Sequence, residues 1–165
     1  MNELMFVKPD ITNADKIAAF RESFISAGET EINGSRKLIK YDKAEDWLLT
    51  FPSDNNSELF FVARKCDGKY IGITEFRLRL DDTNYQNGHA GASVAPEERR
   101  QGYGAAILRM NVEYILSKGI IPAIISCDED NRKSMSVIEA NGGKRLDRIV
   151  EAHGNVIIRY SFTGK

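Results

Sequence analysis

The chain has 165 residues, 42% hydrophobic and 28% charged, and a chain of this length buries roughly two thirds of its unfolded surface, so one domain with a real core is expected and a disordered or disulfide-stapled chain is not. Lys and Arg number 23 against 24 Asp and Glu, a formal net charge of −1, which leaves no basic surface for sequence-independent nucleic-acid binding. Cys66 and Cys127 form no CxxC or His/Cys cluster and His89 and His153 are the two imidazoles, so no metal site is expected. No run approaches the ~18 consecutive apolar residues of a membrane span, and MNELMFVKPD lacks the basic-then-apolar pattern of a secretory leader. A cytoplasmic chain with no membrane partner is expected.

A short strand opens the chain. In the helix that follows, Thr12 and Asp15 are spaced as a capping pair, Ile17, Phe20 and Phe24 share one face, and Gly28 supplies the stop. A second helix surrounds Trp47 and Leu48, and PSDNNS at 52–57 reads as a loop. LFFVARK and YIGITEFRLRL are β-branched and aromatic runs joined through Asp67-Gly68, which predicts an antiparallel hairpin. GHAGASVA forms a third strand that stops at Pro96. From Gly102 to Lys118, Ala105, Leu108, Val112, Ile115 and Leu116 make one apolar helical stripe with Arg109 and Glu113 opposite, and Gly119 closes the helix.

The apolar run IIPAIIS predicts a buried central strand ending in Cys127-Asp128-Glu129-Asp130. A short helix from Asn131 to Asn141 stops at Gly142-Gly143, and strands over 145–150 and 156–162 finish the chain. The class expected is α/β (α+β): a mixed, mostly antiparallel central sheet flanked by helices, in a single domain over 1–165. The strand, helix and strand in the middle predict a right-handed parallel crossover within that sheet.

The segment where the third strand hands over to the helix carries the chemistry. Gly102 and Gly104, followed by small Ala105 and Ala106, leave the first helical turn bare, so a ligand can reach backbone N–H groups at the positive end of the helix dipole. A pyrophosphate suits that geometry, and Arg99 and Arg100 add charge. The plainer reading is a glycine-shaped loop with Glu97-Glu98-Arg99-Arg100 as a solvated charge run. A dinucleotide fingerprint fits poorly, because Ile107 occupies the third glycine position and the passage from strand to helix is long. A P-loop fails because no Gly-Lys-Ser/Thr follows.

With Val94-x-Pro96 ahead of it, Arg99-x-x-Gly102-x-Gly104-Ala105 resembles the acetyl-CoA signature of the GNAT family of N-acetyltransferases. The resemblance runs from about Leu59 to Phe162 and includes Asn131-x-x-Ser134. It implies a GNAT-like fold with acetyl-CoA as cosubstrate. The backbone of Arg100, Gln101, Gly102, Tyr103, Gly104 and Ala105 would hold the pyrophosphate. The Ser93-Val94 strand edge would pair with pantetheine amides, and Asn131 and Ser134 would line the cofactor arm. The family often places an acidic tyrosine seven residues after the helix-start asparagine. Here that position is Ile138, and Gly142-Gly143 replaces the usual Gly-Phe. Tyr103, by contrast, is expected to cover the cofactor or face solvent.

Transfer to an amine requires removal of a proton, and the base candidates are His89, at the entry to the pre-loop strand, and Glu75, mid-strand among apolar neighbours. Each also has a plain reading, as a solvated strand-end histidine and as a wet-face carboxylate. Cys127 reads as a buried structural thiol, and the acidic triplet after it as a cap for the next helix. The function expected is transfer of acetyl from acetyl-CoA to a primary amine of a small molecule or peptide by direct attack, in a possible homodimer. The alternatives are a CoA-binding sensor or scaffold and, more remotely, a nucleotide-dependent oxidoreductase.

Overall fold

The computed structural model describes residues 2–52 and 55–164; within the expected loop at 52–57, Ser53 and Asp54 lie outside the described residues. The elements, in chain order, are β1 (Leu4–Val7), α1 (Ala14–Ser26), α2 (Ala44–Leu48), β2 (Ser57–Arg64), β3 (Tyr70–Arg77), β4 (Ala90–Val94), α3 (Tyr103–Ser117), β5 (Ala123–Asp128), α4 (Arg132–Ala140), β6 (Lys144–Val150) and β7 (Val156–Phe162). The strands form one sheet of order β1-β2-β3-β4 and a second of order β5-β7-β6. The described pairings are antiparallel where their register is given. The chain divides into two compact units, Met1–Glu75 with Ala92–Gly104, and Phe76–Gly91 with Ala105–Lys165.

In the first unit the α1 stripe is as expected: Ile17, Phe20 and Phe24 are buried, and Gly28 adopts φ 78° beyond the helix end. The cap differs. Asp10 accepts both the N–H and the hydroxyl of Thr12 at 2.8 Å, starting a 3-10 turn over Ile11–Asn13 that leads into α1. A carboxylate two residues upstream thus takes the place expected of Thr12. Phe61 stacks on Tyr70 at 4.5 Å and meets Phe20 edge-on at 5.3 Å. Trp47 is fully buried with its indole N–H donated to Ser35 O at 2.9 Å. Each such side chain contributes about 1.5–3 kcal/mol by leaving water.

The β2–β3 hairpin forms as predicted: Arg64 N–H donates to Lys69 O, Gly68 N–H donates to Arg64 O, and Gly68 takes φ 67°. Ala95 N–H donates to Ile71 O and Arg77 N–H to His89 O, which makes β3 and β4 antiparallel.

The parallel crossover within one sheet is not found among the described residues. β4 is the edge of the first sheet and β5 belongs to the second. The chain leaves the β3 ladder at Gly88–His89, where the His89 N–H turns to Ile124 O and Gly88 bridges Ile125 antiparallel.

In the second unit β7 is the central strand, with Tyr160 opposite Ile125 on β5 and opposite Arg145 on β6. The buried line of α3 is Ile107, Asn111 and Ile115 with Leu108, while Val112 and Leu116 are half-buried. The expected stripe is therefore rotated by about one residue, because it passed over a polar residue that the fold buries. Gly143 answers to space: a Cβ there would come within 2.9 Å of Ile138 O and of the Phe162 ring.

Candidate functional site

After β4 a 3-10 turn over Pro96–Glu98 leads to Arg99 in extended conformation, then to left-handed Arg100 (φ 62°) and Gly102 (φ 84°), and α3 begins at Tyr103. A helix leaves its first four N–H groups without intrahelical acceptors, and left-handed residues just before it turn further N–H groups the same way. Gly104 lies on the first turn, where a Cβ would meet no heavy atom of the described residues within 4 Å. Arg100, Gln101, Gly102 and Gly104 are exposed and Ala105 is half-buried. The backbone here suits a diphosphate.

The side chains of the loop do something else. Arg99 donates to Glu29 Oε2 at 3.0 Å and to Val94 O at 3.2 Å, and its guanidinium lies 5.6 Å from the Phe24 ring centroid. It therefore does not direct its charge at an anion on the helix terminus, because Glu29 neutralises it. Glu98 is buried, with Lys69 Nζ 2.6 Å and Arg64 Nη1 3.1 Å from its two oxygens. The Lys69 ammonium is raised above the usual lysine range chiefly by that hydrogen bond to Glu98. Glu97 also pairs with Lys69, at 3.3 Å, so Glu97, Glu98 and Arg99 of the charge run are held in ion pairs while Arg100 is exposed. Tyr103 is 3% exposed and its phenol oxygen accepts from Arg64 at 3.4 Å. Its ring therefore does not face solvent.

On β4, the ladder that sends Ala95 N–H to Ile71 turns the Val94 N–H to the opposite edge, where the sheet has no further strand among the described residues. Ser93 donates its hydroxyl to Asn33 O at 2.8 Å. The same register sets Ser93 opposite Ile73, on the face of the sheet that also carries Glu75. Glu75 Oε1 accepts from Arg36 Nε at 2.7 Å, and Arg36 donates to Ser57 Oγ at 2.7 Å while its guanidinium lies 4.7 Å from the Phe51 ring centroid. Arg36 and Lys37 are both left-handed, with φ 49° and 60°, strain the local contacts must hold. The carboxylate expected among apolar neighbours is thus half of an ion pair.

His89 is buried, and its Nδ1 accepts the Ile124 N–H at 2.8 Å. Desolvation first, and then the Arg77 charge, hold the imidazole below its usual pKa. The lone pair a general base would use is already engaged, so this histidine is neither a solvated strand end nor a ready proton acceptor.

In the second unit Asn131 caps α4 through Oδ1, which accepts the Ser134 N–H at 3.1 Å. The cap expected of the acidic triplet is therefore supplied by its successor. Glu129 accepts from Arg148 at 2.7 and 2.9 Å, which lowers its pKa, and Asp128 accepts from Asn155 at 3.0 Å. Ile138 is 4% exposed. Burial pushes the Cys127 thiol up to about 11, with Asp128 and Glu139 adding to it, as expected of a structural thiol. Burial likewise pushes Tyr160 up to about 12, with its hydroxyl donated to Glu139 at 2.8 Å.

Reasoning from the sequence missed Glu29, Arg36, Arg64 and Lys69, which hold the loop and the β3 carboxylate from 29 residues or more away in the chain. A hairpin that places Arg64 and Lys69 at its two ends was the one available signal. Among the described residues no group of three or more His, Cys, Asp or Glu is placed to hold a metal ion, and no helix is long and apolar enough to cross a membrane.

Comparison with known proteins agrees with this architecture. The profile of the Acetyltransferase (GNAT) family matches residues 21–142. The fold is similar to that of the microcin C7 self immunity acetyltransferase MccE, solved in complex with acetyl-CoA and AMP: TM-score 0.73, 14% identity, covering 99% of this chain and 93% of that one. It is also similar to the dodecameric spermidine N-acetyltransferase of Vibrio cholerae: TM-score 0.69, 13% identity, covering 97% and 93%. No curated protein sequence matches the chain significantly.

Proposed function

Because this chain belongs to the GNAT acetyltransferase family, we propose that it transfers acetyl from acetyl-CoA to a primary amine by direct attack in a ternary complex. The observation that carries this reading is the bare turn at Arg100–Ala105, with left-handed Arg100 and Gly102 and open space over Gly104. There the backbone N–H groups would hold the pyrophosphate and the Val94 edge would pair with pantetheine. Asn131 and Ser134 would line the cofactor arm, as the resemblance implies. An amine of pKa ~10.4 is almost wholly protonated at pH 7, a handicap of roughly 4.6 kcal/mol at ~1.36 per unit. Glu75 is the residue we assign to relieve it, since the His89 lone pair is engaged by Ile124. Glu75 shares the sheet face of Ser93, and it would receive the proton as Arg36 gives up its bond.

The amine of the spermidine N-acetyltransferase is one candidate acceptor among small amines and peptide amines. A homodimer is the assembly this reading carries, supported by β6 being an edge strand of its sheet, and light scattering checks it. The reading is tested by thiol release from acetyl-CoA over a panel of amines, with cofactor occupancy confirmed by native mass spectrometry.

A second reading, a CoA-binding sensor, is favoured by one observation: the position expected to hold the acid tyrosine is Ile138, buried in the core. CoA occupancy with no turnover on every amine supports that reading. Stabilisation by NAD(P) and not by CoA contradicts both.

A further inference from the structure

We propose that Glu98 is a positioning residue for acetyl-CoA: with Arg64 and Lys69 it fixes the two ends of the loop whose backbone binds the pyrophosphate. The proposal rests on the reading of that loop given above. Glu98 ends the 3-10 turn before the loop and Tyr103 begins α3 after it. One guanidinium nitrogen, Arg64 Nη1, donates to both, at 3.1 Å to Glu98 Oε2 and at 3.4 Å to the Tyr103 hydroxyl. The rest of that guanidinium is held by Asp67, with Nε 3.1 Å and Nη2 2.6 Å from its oxygens. The other Glu98 oxygen receives Lys69 Nζ at 2.6 Å.

The clasp thus stands on the hydrogen-bonded β2–β3 hairpin. It spans residues 99–102, where Arg99 is extended and Arg100 and Gly102 are left-handed, the conformations that aim the N–H groups. A loop free to sample other conformations would lose that freedom on binding the cosubstrate, whereas a clasped loop has lost it on folding. Glu98 is 6% exposed, so it acts through the main chain and not by touching the ligand. A carboxylate in contact with a pyrophosphate would in any case repel it.

The test uses the full chain and Glu98→Gln, which keeps the shape and removes the charge. In ligand-free protein, backbone amide order parameters over residues 99–103 should fall from about 0.85 to below about 0.6 while those of the core strands hold. The KM for acetyl-CoA should rise by about 5- to 20-fold with kcat within about twofold, since only ordering of the loop is lost. Glu97→Gln, at an exposed carboxylate that pairs with Lys69 at 3.3 Å, should move neither readout.

The double variant Glu98→Met/Lys69→Met removes the buried carboxylate together with its exposed partner, while Arg64 keeps its pair with Asp67, and should keep the raised KM. Unchanged order parameters in Glu98→Gln overturn the proposal, as does a double variant with native KM, which would reduce Glu98 to a stabilising role. If the wild-type chain fails to bind CoA, the functional reading falls, and the order parameters still decide whether Glu98 orders the loop.

Discussion

His89 and Ile124 are joined twice: the His89 N–H donates to Ile124 O at 2.7 Å, and the Ile124 N–H returns to His89 Nδ1 at 2.8 Å. The imidazole completes with its side chain what the backbone begins, so the ring serves as a fastener where the chain leaves the β3 ladder. His89→Ala would orphan a buried N–H and is expected to cost about 1–3 kcal/mol. Because burial lowers the His89 pKa, the unfolded chain binds its proton more readily than the fold does. The stability it contributes is present above the unfolded value near 6.5 and is lost as pH falls below it. Denaturant titrations at pH 7.5 and 5.5 should show the wild type weakening on acidification and His89→Gln weakening less; equal pH dependence contradicts the assignment.

Glu75 carries a different expectation. Glu75→Gln keeps a hydrogen-bond acceptor for Arg36 but cannot take a proton, so kcat on an accepted amine should fall by about 10²- to 10⁴-fold while CoA affinity holds within about twofold. A loss of affinity with kcat intact would make Glu75 a partner of Arg36 and no more.

Cys127 and Tyr160 predict alkaline behaviour. Both have pKa values raised by burial, to about 11 and about 12, so the fold keeps protons that the unfolded chain releases. Their contribution is full below the unfolded values, near 9 and 10, and is lost as pH rises toward 11 and 12. Unfolding followed from pH 8 to 11 should show falling stability, less steeply in Cys127→Ala. Thiol labelling at pH 8 should modify exposed Cys66 well before Cys127.

Much of the architecture was legible because it rests on short-range chemistry. Ile17, Phe20 and Phe24 recur at helical spacing, Asp67-Gly68 encodes its own turn, and Gly28 and Gly119 both take the left-handed conformation that ends a helix. What escaped depends on contacts distant in sequence. Asn111 lies inside the α3 stripe because tertiary burial overrides polarity, and Thr12 yielded the cap to an Asp two residues earlier. Of the candidate site, the bare turn at Gly102–Ala105 could be read from its small residues. The fate of its charges could not. Glu98 and Arg99 look like solvated surface until Lys69, Arg64 and Glu29 are brought to them, and Glu75 looks unpaired until Arg36 arrives. Side-chain ion pairs of this kind leave no periodic trace.

Gly104 bears most directly on the account, because it is the place where a side chain would lie over the exposed N–H groups without disturbing the fold. A Cβ there meets no heavy atom within 4 Å among the described residues, and replacing glycine inside a helix usually adds about 0.5–1 kcal/mol of stability. Calorimetric titration of CoA into the wild type and Gly104→Leu, with thermal unfolding of both, therefore separates binding from folding. The account expects Gly104→Leu to unfold at the same temperature or higher and to bind CoA at least about tenfold more weakly, a loss of about 1.4 kcal/mol. Native CoA affinity in that folded variant would contradict it.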